Sequence, residues 1–259
     1  MKRTQINVKI QSFPLELQEI IARARVFDSS CSNEARVYFL DCDGGLYLKT
    51  AAKGSLKKEA LMDDYFFRKG LGAPRVVKYI EGDRDWLLTA RVSGEDCTHS
   101  DYLSDPKKLC DLLAKKLREL HETDAFDCPI KDHTANYLAV AEKNYKKEQF
   151  DISYFDENST PDRAWRVLQE GKRLLKNDTL LHGDYCLPNI MLDNWRFSGF
   201  IDLGNGGVGD RHVDLYWGAW TLKFNLGTDI YRERFFDAYG RDKIDKDKLL
   251  TVSAAEVFG

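Results

Sequence analysis

The stretch His182-Gly183-Asp184-Tyr185-Cys186-Leu187-Pro188-Asn189, followed by Gly199-Phe200-Ile201-Asp202-Leu203-Gly204, decides the reading of this chain. Ahead of it, Thr179-Leu180-Leu181 is a short apolar run of strand type that delivers Asp184 to its end, where a loop is exposed on a rigid base. Pro188 stiffens the approach to Asn189. Beyond it, Ile190-Met191-Leu192 and Arg196 to Ile201 read as two strands around a polar turn at Asp193-Asn194, so a hairpin is expected to fold Asp202 back towards Asn189. Singly, HGD is an ordinary turn and IDLG a buried strand ending at glycine; their order and spacing carry the information. His182 reads as a strut that fixes the loop, since nothing around it supplies a nucleophile-base arrangement.

An Asp, four residues, an Asn, and a second Asp just after a hairpin match the catalytic loop and metal-binding Asp of a kinase. Phosphoryl transfer needs a carboxylate that orients the acceptor hydroxyl and takes its proton, and oxygen ligands that hold magnesium on the β- and γ-phosphates. Asp184 is the candidate catalytic residue, and Asn189 and Asp202 are the candidate metal ligands.

The N-terminal third reads as a sheet. Val37-Tyr38-Phe39-Leu40 and Leu46-Tyr47-Leu48-Lys49 flank the turn Asp41-Cys42-Asp43-Gly44-Gly45, where glycines take positive φ. Lys49 ends the second strand, and Glu59 lies in the first turns of a helical run from Leu56 to Phe66, within reach of it. A surface Lys and a surface Glu on a charged helix would look the same. Val76–Ile80 and Trp86–Thr89 read as strands around Glu81–Asp85, and Ala90-Arg91-Val92-Ser93-Gly94 breaks the pattern. Helical signals dominate afterwards. Asp105-Pro106 starts a helix with a stripe at Leu109, Leu112, Leu113, Leu117 and Leu120; further helices are expected over Asp162–Lys176 and Asp214–Phe224.

Composition sets the class. At 259 residues, 43% hydrophobic and 31% charged, the chain is of soluble globular type and large enough for two lobes. A net charge of −3 without a basic tract argues against nucleic acid and suits a polycationic ligand. Cys31, Cys42, Cys97, Cys110, Cys128 and Cys186 are scattered, with no CxxC or His-rich spacing, so neither zinc nor a disulfide framework is indicated and a reducing cytoplasm is expected. The N-terminus has no apolar signal region and no stretch reaches membrane-spanning length; neither a membrane nor an obligate protein partner is indicated.

HGDYCLPNIM, RFSGFIDLG and Gly45-Leu46-Tyr47-Leu48-Lys49 together resemble the aminoglycoside phosphotransferase family, and within it the 3′-phosphotransferases, from roughly Val37 to Phe258. The resemblance implies an α+β, bilobal protein-kinase-like fold: an N-lobe of antiparallel sheet plus helix over residues 1–90, binding nucleotide, and a larger, mainly helical C-lobe over 91–259, catalytic and aminoglycoside-binding. It implies ATP, with GTP as an alternative, and magnesium. It pairs Lys49 with Glu59 on the α- and β-phosphates, stacks Tyr47 on adenine, and gives the adenine edge to the backbone of Ala90 and Val92. The glycine-rich loop of protein kinases is replaced by Ser29–Arg36, as in this family, with Ser32 and Asn33 nearest the phosphates. For the aminoglycoside it implies Glu157, anchored at Thr160-Pro161, and the tail residues Glu256, Phe258 and Gly259 with the terminal carboxylate.

Departures touch substrate range. Relatives that end in Leu-Asp-Glu and two apolar residues carry one more carboxylate than Ala254-Ala255-Glu256-Val257-Phe258-Gly259; Leu187 and Asn205 stand where some relatives have an acid and an arginine. Other readings remain open: a kinase of the same fold for a macrolide, choline or another amino-alcohol; a protein kinase, against which no APE-like segment follows Asp202; and a nucleotide-binding module without catalysis.

Overall fold

The computed structural model describes residues 3–31, 35–156 and 158–259. The chain forms two compact units: Met1–Asp96 with Met191–Gly204, and Cys97–Ile190 with Asn205–Gly259. The first thus runs past Ala90 and takes in the hairpin that ends at Asp202.

The first unit begins with β1 (Thr4–Gln5), α1 (Leu15–Arg23), β2 (Arg25–Asp28), β3 (Ala35–Asp41), β4 (Leu46–Ala52), α2 (Lys57–Arg68), β5 (Val76–Ile80), β6 (Arg84–Ala90) and β7 (Glu95–Asp96). The first six strands make one antiparallel sheet in the order β1-β2-β3-β4-β6-β5. Alternation along β3 and β4 assigns the faces. Tyr38, Leu40, Leu46 and Leu48 pack with Phe13, Leu17 and Ile21 on one side. The opposite side carries Tyr47, Lys49 and Ala51, and Leu56 and Ala60 of α2 pack there on Ala51 and Leu87. That packing brings the first turn of α2 to Lys49. Strand β6 starts inside the turn expected over Glu81–Asp85, because buried Asp85 accepts from Leu56 N and Tyr79 Oη, both at 3.0 Å, and so anchors the start of α2.

The chain continues through α3 (Ser100–Leu103), α4 (Pro106–His121), α5 (His133–Lys146), α6 (Pro161–Gly171), β8 (Thr179–Leu181), β9 (Ile190–Asp193), β10 (Arg196–Phe200), β11 (Gly207–Gly209), α7 (His212–Leu226), α8 (Arg232–Tyr239) and α9 (Lys246–Glu256). Asp105 and Thr160 cap α4 and α6 by accepting from Lys108 N at 3.1 Å and Arg163 N at 3.2 Å. Of the expected α4 stripe, Leu109, Leu113, Leu117 and Leu120 are buried, while Leu112 is only half-buried at its edge. Helix α6 ends before the expected Lys176. At Gly171 a Cβ would lie 1.9 Å from Thr251 Oγ1 of α9, and the chain tightens there into one 3₁₀ turn at Lys172–Leu174. A core of Ala141, Ala164, Leu168, Ala254, Ala255, Val257 and Phe258 ties α5 and α6 to α9 and the C-terminal tail. The α+β class and the antiparallel sheet with helix are those expected from the sequence.

Candidate active site

In the first unit, three elements converge on one ammonium group. Lys49 Nζ from β4 lies 2.8 Å from Glu59 Oε2 of α2 and 2.8 Å from Asp202 Oδ1, just after β10. The β9–β10 hairpin turns at Asn194 and Trp195, both with positive φ, as its two-residue loop requires. Asp202 itself is left-handed, φ 61°, a conformation that is uncommon outside glycine and best tolerated by Asn and Asp. Burial would lower the Lys49 pKa, but the charges of Glu59 and then Asp202 outweigh it, so the ammonium is held charged. Burial pushes the Glu59 carboxyl up, against the pull of Lys49. One turn on lies Asp63, which no sequence signal marked. It is buried, its Oδ1 has no partner, and burial, with the Glu59 charge adding, pushes its carboxyl well up.

The nucleotide-side expectations divide. Tyr47 lies on the Lys49 face of the sheet, with Arg3 donating to its hydroxyl at 2.6 Å. The Ala90 N–H is already spent on Arg75 O at 2.9 Å, which leaves its carbonyl, and Val92 beyond the strand end, for a base. Ser32, Asn33 and, in the other unit, Glu157 lie outside the described residues.

In the second unit the catalytic-loop candidate is built from the backbone outward. Gly183, φ 85°, is obligatory: a Cβ there would lie 2.1 Å from Asn205 O. The N–H groups of His182 and Gly183 donate to the two carboxylate oxygens of buried Asp214, each at 2.8 Å. Asp214 also accepts from His121 Nε2 at 3.1 Å, which leaves His121 Nδ1 to accept from Tyr239 Oη at 2.9 Å. Burial lowers the His121 pKa, so the ring is neutral; burial works against the Asp214 charge, yet its hydrogen bonds and neighbours hold the carboxyl below its usual range. Thr221 of α7 accepts from Leu187 N at 3.1 Å. On this frame Asn189 Nδ2 donates to Asp184 Oδ2 at 2.8 Å and to Asp184 O at 3.1 Å. Burial, then the Asp184 charge, pushes the Cys186 thiol far up, so it stays protonated and is no nucleophile.

Asp214 and Thr221 also escaped the sequence reading. The available signal was a carboxylate in the first turn of a largely apolar helix.

The tail splits as well. Glu256 ends α9 only 7% exposed, with Oε1 accepting from Tyr137 Oη at 2.8 Å and Trp217 Nε1 at 3.0 Å. Burial raises its carboxyl to about 7, against those two donors and with the Asp184 charge adding. Phe258, expected to offer a contact surface, has no exposed ring. It is fully buried against Tyr145 and Trp165, with centroids at 5.4 and 5.8 Å, because an aromatic group at a chain end buries more area in the α5–α6 crevice than on the surface. Gly259 N bonds back to Glu256 O at 3.2 Å.

In the second unit Asn189, with Nδ2 on Asp184, keeps its Oδ1, and in the first unit Asp202, with Oδ1 on Lys49, keeps its Oδ2; each is by itself a hard oxygen donor of the kind magnesium takes. Among the described residues no group of three or more His, Cys, Asp or Glu is placed to hold a metal ion. Nor, among them, is any helix long and apolar enough to cross a membrane.

Residues 23–250 match the phosphotransferase enzyme family, and the chain belongs to it. It is 49% identical over 257 residues to a probable aminoglycoside 3′-phosphotransferase of Lactococcus lactis subsp. lactis (strain IL1403), covering 98% of each chain. An aminoglycoside 3′-phosphotransferase of Niallia circulans is 32% identical over 182 residues, 69% of this chain and 70% of that one. Among solved structures, an aminoglycoside-3′-phosphotransferase of type VIII superposes with a TM-score of 0.73 at 25% identity, over 89% of this chain and 91% of that chain.

Proposed function

We propose that the protein transfers the γ-phosphoryl group of ATP to a hydroxyl, the 3′-hydroxyl, of a kanamycin- or neomycin-like aminoglycoside, and so confers resistance. One observation carries the reading: a chain that matches a probable aminoglycoside 3′-phosphotransferase along nearly its whole length holds Asp184 on a backbone fixed by Asp214. The acceptor oxygen attacks the γ-phosphorus while the bond to ADP breaks. Asp184 orients that hydroxyl and takes its proton late. Asn189, by donating to Oδ2, fixes which face of the carboxylate is presented. Because the transition state is largely dissociative, positioning and charge neutralisation outweigh base strength.

Lys49, kept charged and aimed by Glu59, holds the α- and β-phosphates. Asn189 and Asp202 would hold magnesium, which when bound neutralises charge on the β- and γ-phosphates. Replacing either should raise the magnesium requirement; unchanged dependence would remove it from the ligand set. Ala90 and Val92 serve the base through their backbone, beside Tyr47. Glu256 gives the acceptor site an acidic floor suited to a polycation.

The test is ADP release by purified protein with magnesium-ATP, adding kanamycin, neomycin, choline or a macrolide separately against a no-acceptor control. Stimulation by kanamycin or neomycin supports the reading, and NMR of the product locates the phosphate. Stimulation by choline or the macrolide alone overturns the substrate and keeps the chemistry.

A further inference from the structure

Helix α7 serves the second unit twice: Thr221 supports the catalytic loop through Leu187 N, and Trp217 supports Glu256. Between and beyond these positions on the same helix stand Trp220 and Phe224. The two rings stack with centroids 4.9 Å apart and planes 11° apart, yet Phe224 is 70% exposed. Trp220 also meets Trp217 edge-on at 5.3 Å and Tyr154 at 5.8 Å. Tyr154 is in turn tied to α9, the helix that carries Glu256, by Ser253 Oγ donating to its carbonyl at 2.8 Å, and burial, with the charges of Asp151, Glu256 and Asp184 adding, raises its pKa. Trp220 is half-buried, and the exposed Phe224 ring extends its aromatic face towards solvent, where an apolar patch of this kind marks a place for a ligand to cover. Its surroundings select the cover: a carboxylate floor at Glu256, a reacting carboxylate at Asp184, and ring faces that attract cations and pack the apolar C–H face of a sugar.

We propose that Trp220, with Phe224 stacked on it, is a specificity-determining wall of the acceptor site that takes one aminosugar ring of the substrate on its aromatic face. This rests on the aminoglycoside reading above. The wall discriminates by charge and shape: an acceptor with an ammonium-bearing ring stacks there, and a neutral or smaller hydroxyl compound gains little.

Steady-state kinetics test it on the full-length enzyme, with kanamycin as the varied acceptor. Trp220→Ala should raise the kanamycin KM about tenfold, the scale of a desolvated cation–π contact, with kcat falling less and the ATP KM unchanged. Trp220→Phe should recover most of the loss, whereas Trp220→Leu, which fills space without a π face, should not; equal recovery by both would overturn the wall. Phe224→Ala, at an exposed ring, should fold normally and raise the KM about threefold, so it carries the test if Trp220→Ala does not fold. A folded Trp220→Ala with wild-type kanamycin KM, or equal losses for kanamycin and ATP, overturns the wall. If the wild-type enzyme itself leaves aminoglycosides unphosphorylated, the functional reading falls first; wild-type turnover with indifferent variants sinks the wall alone.

Discussion

The Lys49 cluster and the Asp184 loop hold their charges in opposite ways. In the first unit, side chains hold side chains: Lys49 is fixed by Glu59 and Asp202, and the geometry depends on ion pairs. In the second, a buried carboxylate holds backbone, and Asp214 shapes the His182–Gly183 turn that presents Asp184. Ion pairs adjust when a nucleotide arrives. A buried backbone anchor does not, and that rigidity suits the residue that must aim a proton acceptor.

Removing the anchor should therefore have the largest effect. Asp214→Ala strands the N–H groups of His182 and Gly183 and the Nε2–H of His121 in a dry interior, at about 1–3 kcal/mol for each unsatisfied group. A total loss of about 3–5 kcal/mol is expected, read as a large drop in melting temperature with turnover falling alongside. A variant of wild-type stability would mean that the loop does not depend on Asp214.

Asp184→Ala should separate the two properties. Turnover falls at least ~10²-fold, the lower end for a general base, while stability and ATP affinity are largely kept because Asp184 anchors nothing in the core. Near-normal turnover in steady-state assays would take Asp184 out of its role.

The two regions also differ in how far the sequence disclosed them. Lys49, Glu59, Asp184, Asn189 and Asp202 could be named as candidates because phosphoryl-transfer chemistry fixes residue type and order, and the strands and hairpin around them follow from alternation and turn residues. The predicted Lys49–Glu59 pair is formed. Asp214, Thr221 and Asp63 were not legible, because an anchor is defined by what reaches it in three dimensions, and Asp214 meets groups 31 and 93 positions away in sequence. Phe258 shows the converse: its place in the sequence suggested a contact surface, but an aromatic ring takes the nearest dry crevice. Helix α6 ended early for a similar reason, since the close approach of Thr251 to Gly171 is a tertiary event.

Glu59→Ala tests the adjustable side of the contrast. Lys49 keeps Asp202 as a partner, so the ammonium stays charged but is aimed less well, and nucleotide affinity measured by calorimetry should weaken about tenfold, the scale of one charged hydrogen bond. Stability should hardly change, because burial already works against the Glu59 carboxylate. A loss of stability as large as that of Asp214→Ala would erase the distinction between the regions.

The smallest effect should come from Glu256, whose carboxyl is raised from 4.5 to about 7 by burial. Between those values the folded protein keeps a proton that the unfolded chain has released, so stability falls as pH rises through this window and levels off above it. In Glu256→Gln the isosteric amide still presents an oxygen to Tyr137 and Trp217 but cannot ionise. Its melting temperature should match wild type near pH 4.5 and exceed it by a few degrees at pH 8. Parallel melting curves for the two proteins from pH 4.5 to 8 would show that Glu256 is not held protonated. The site would then meet a polycation with a permanent charge rather than with one completed only when the substrate's ammonium groups arrive.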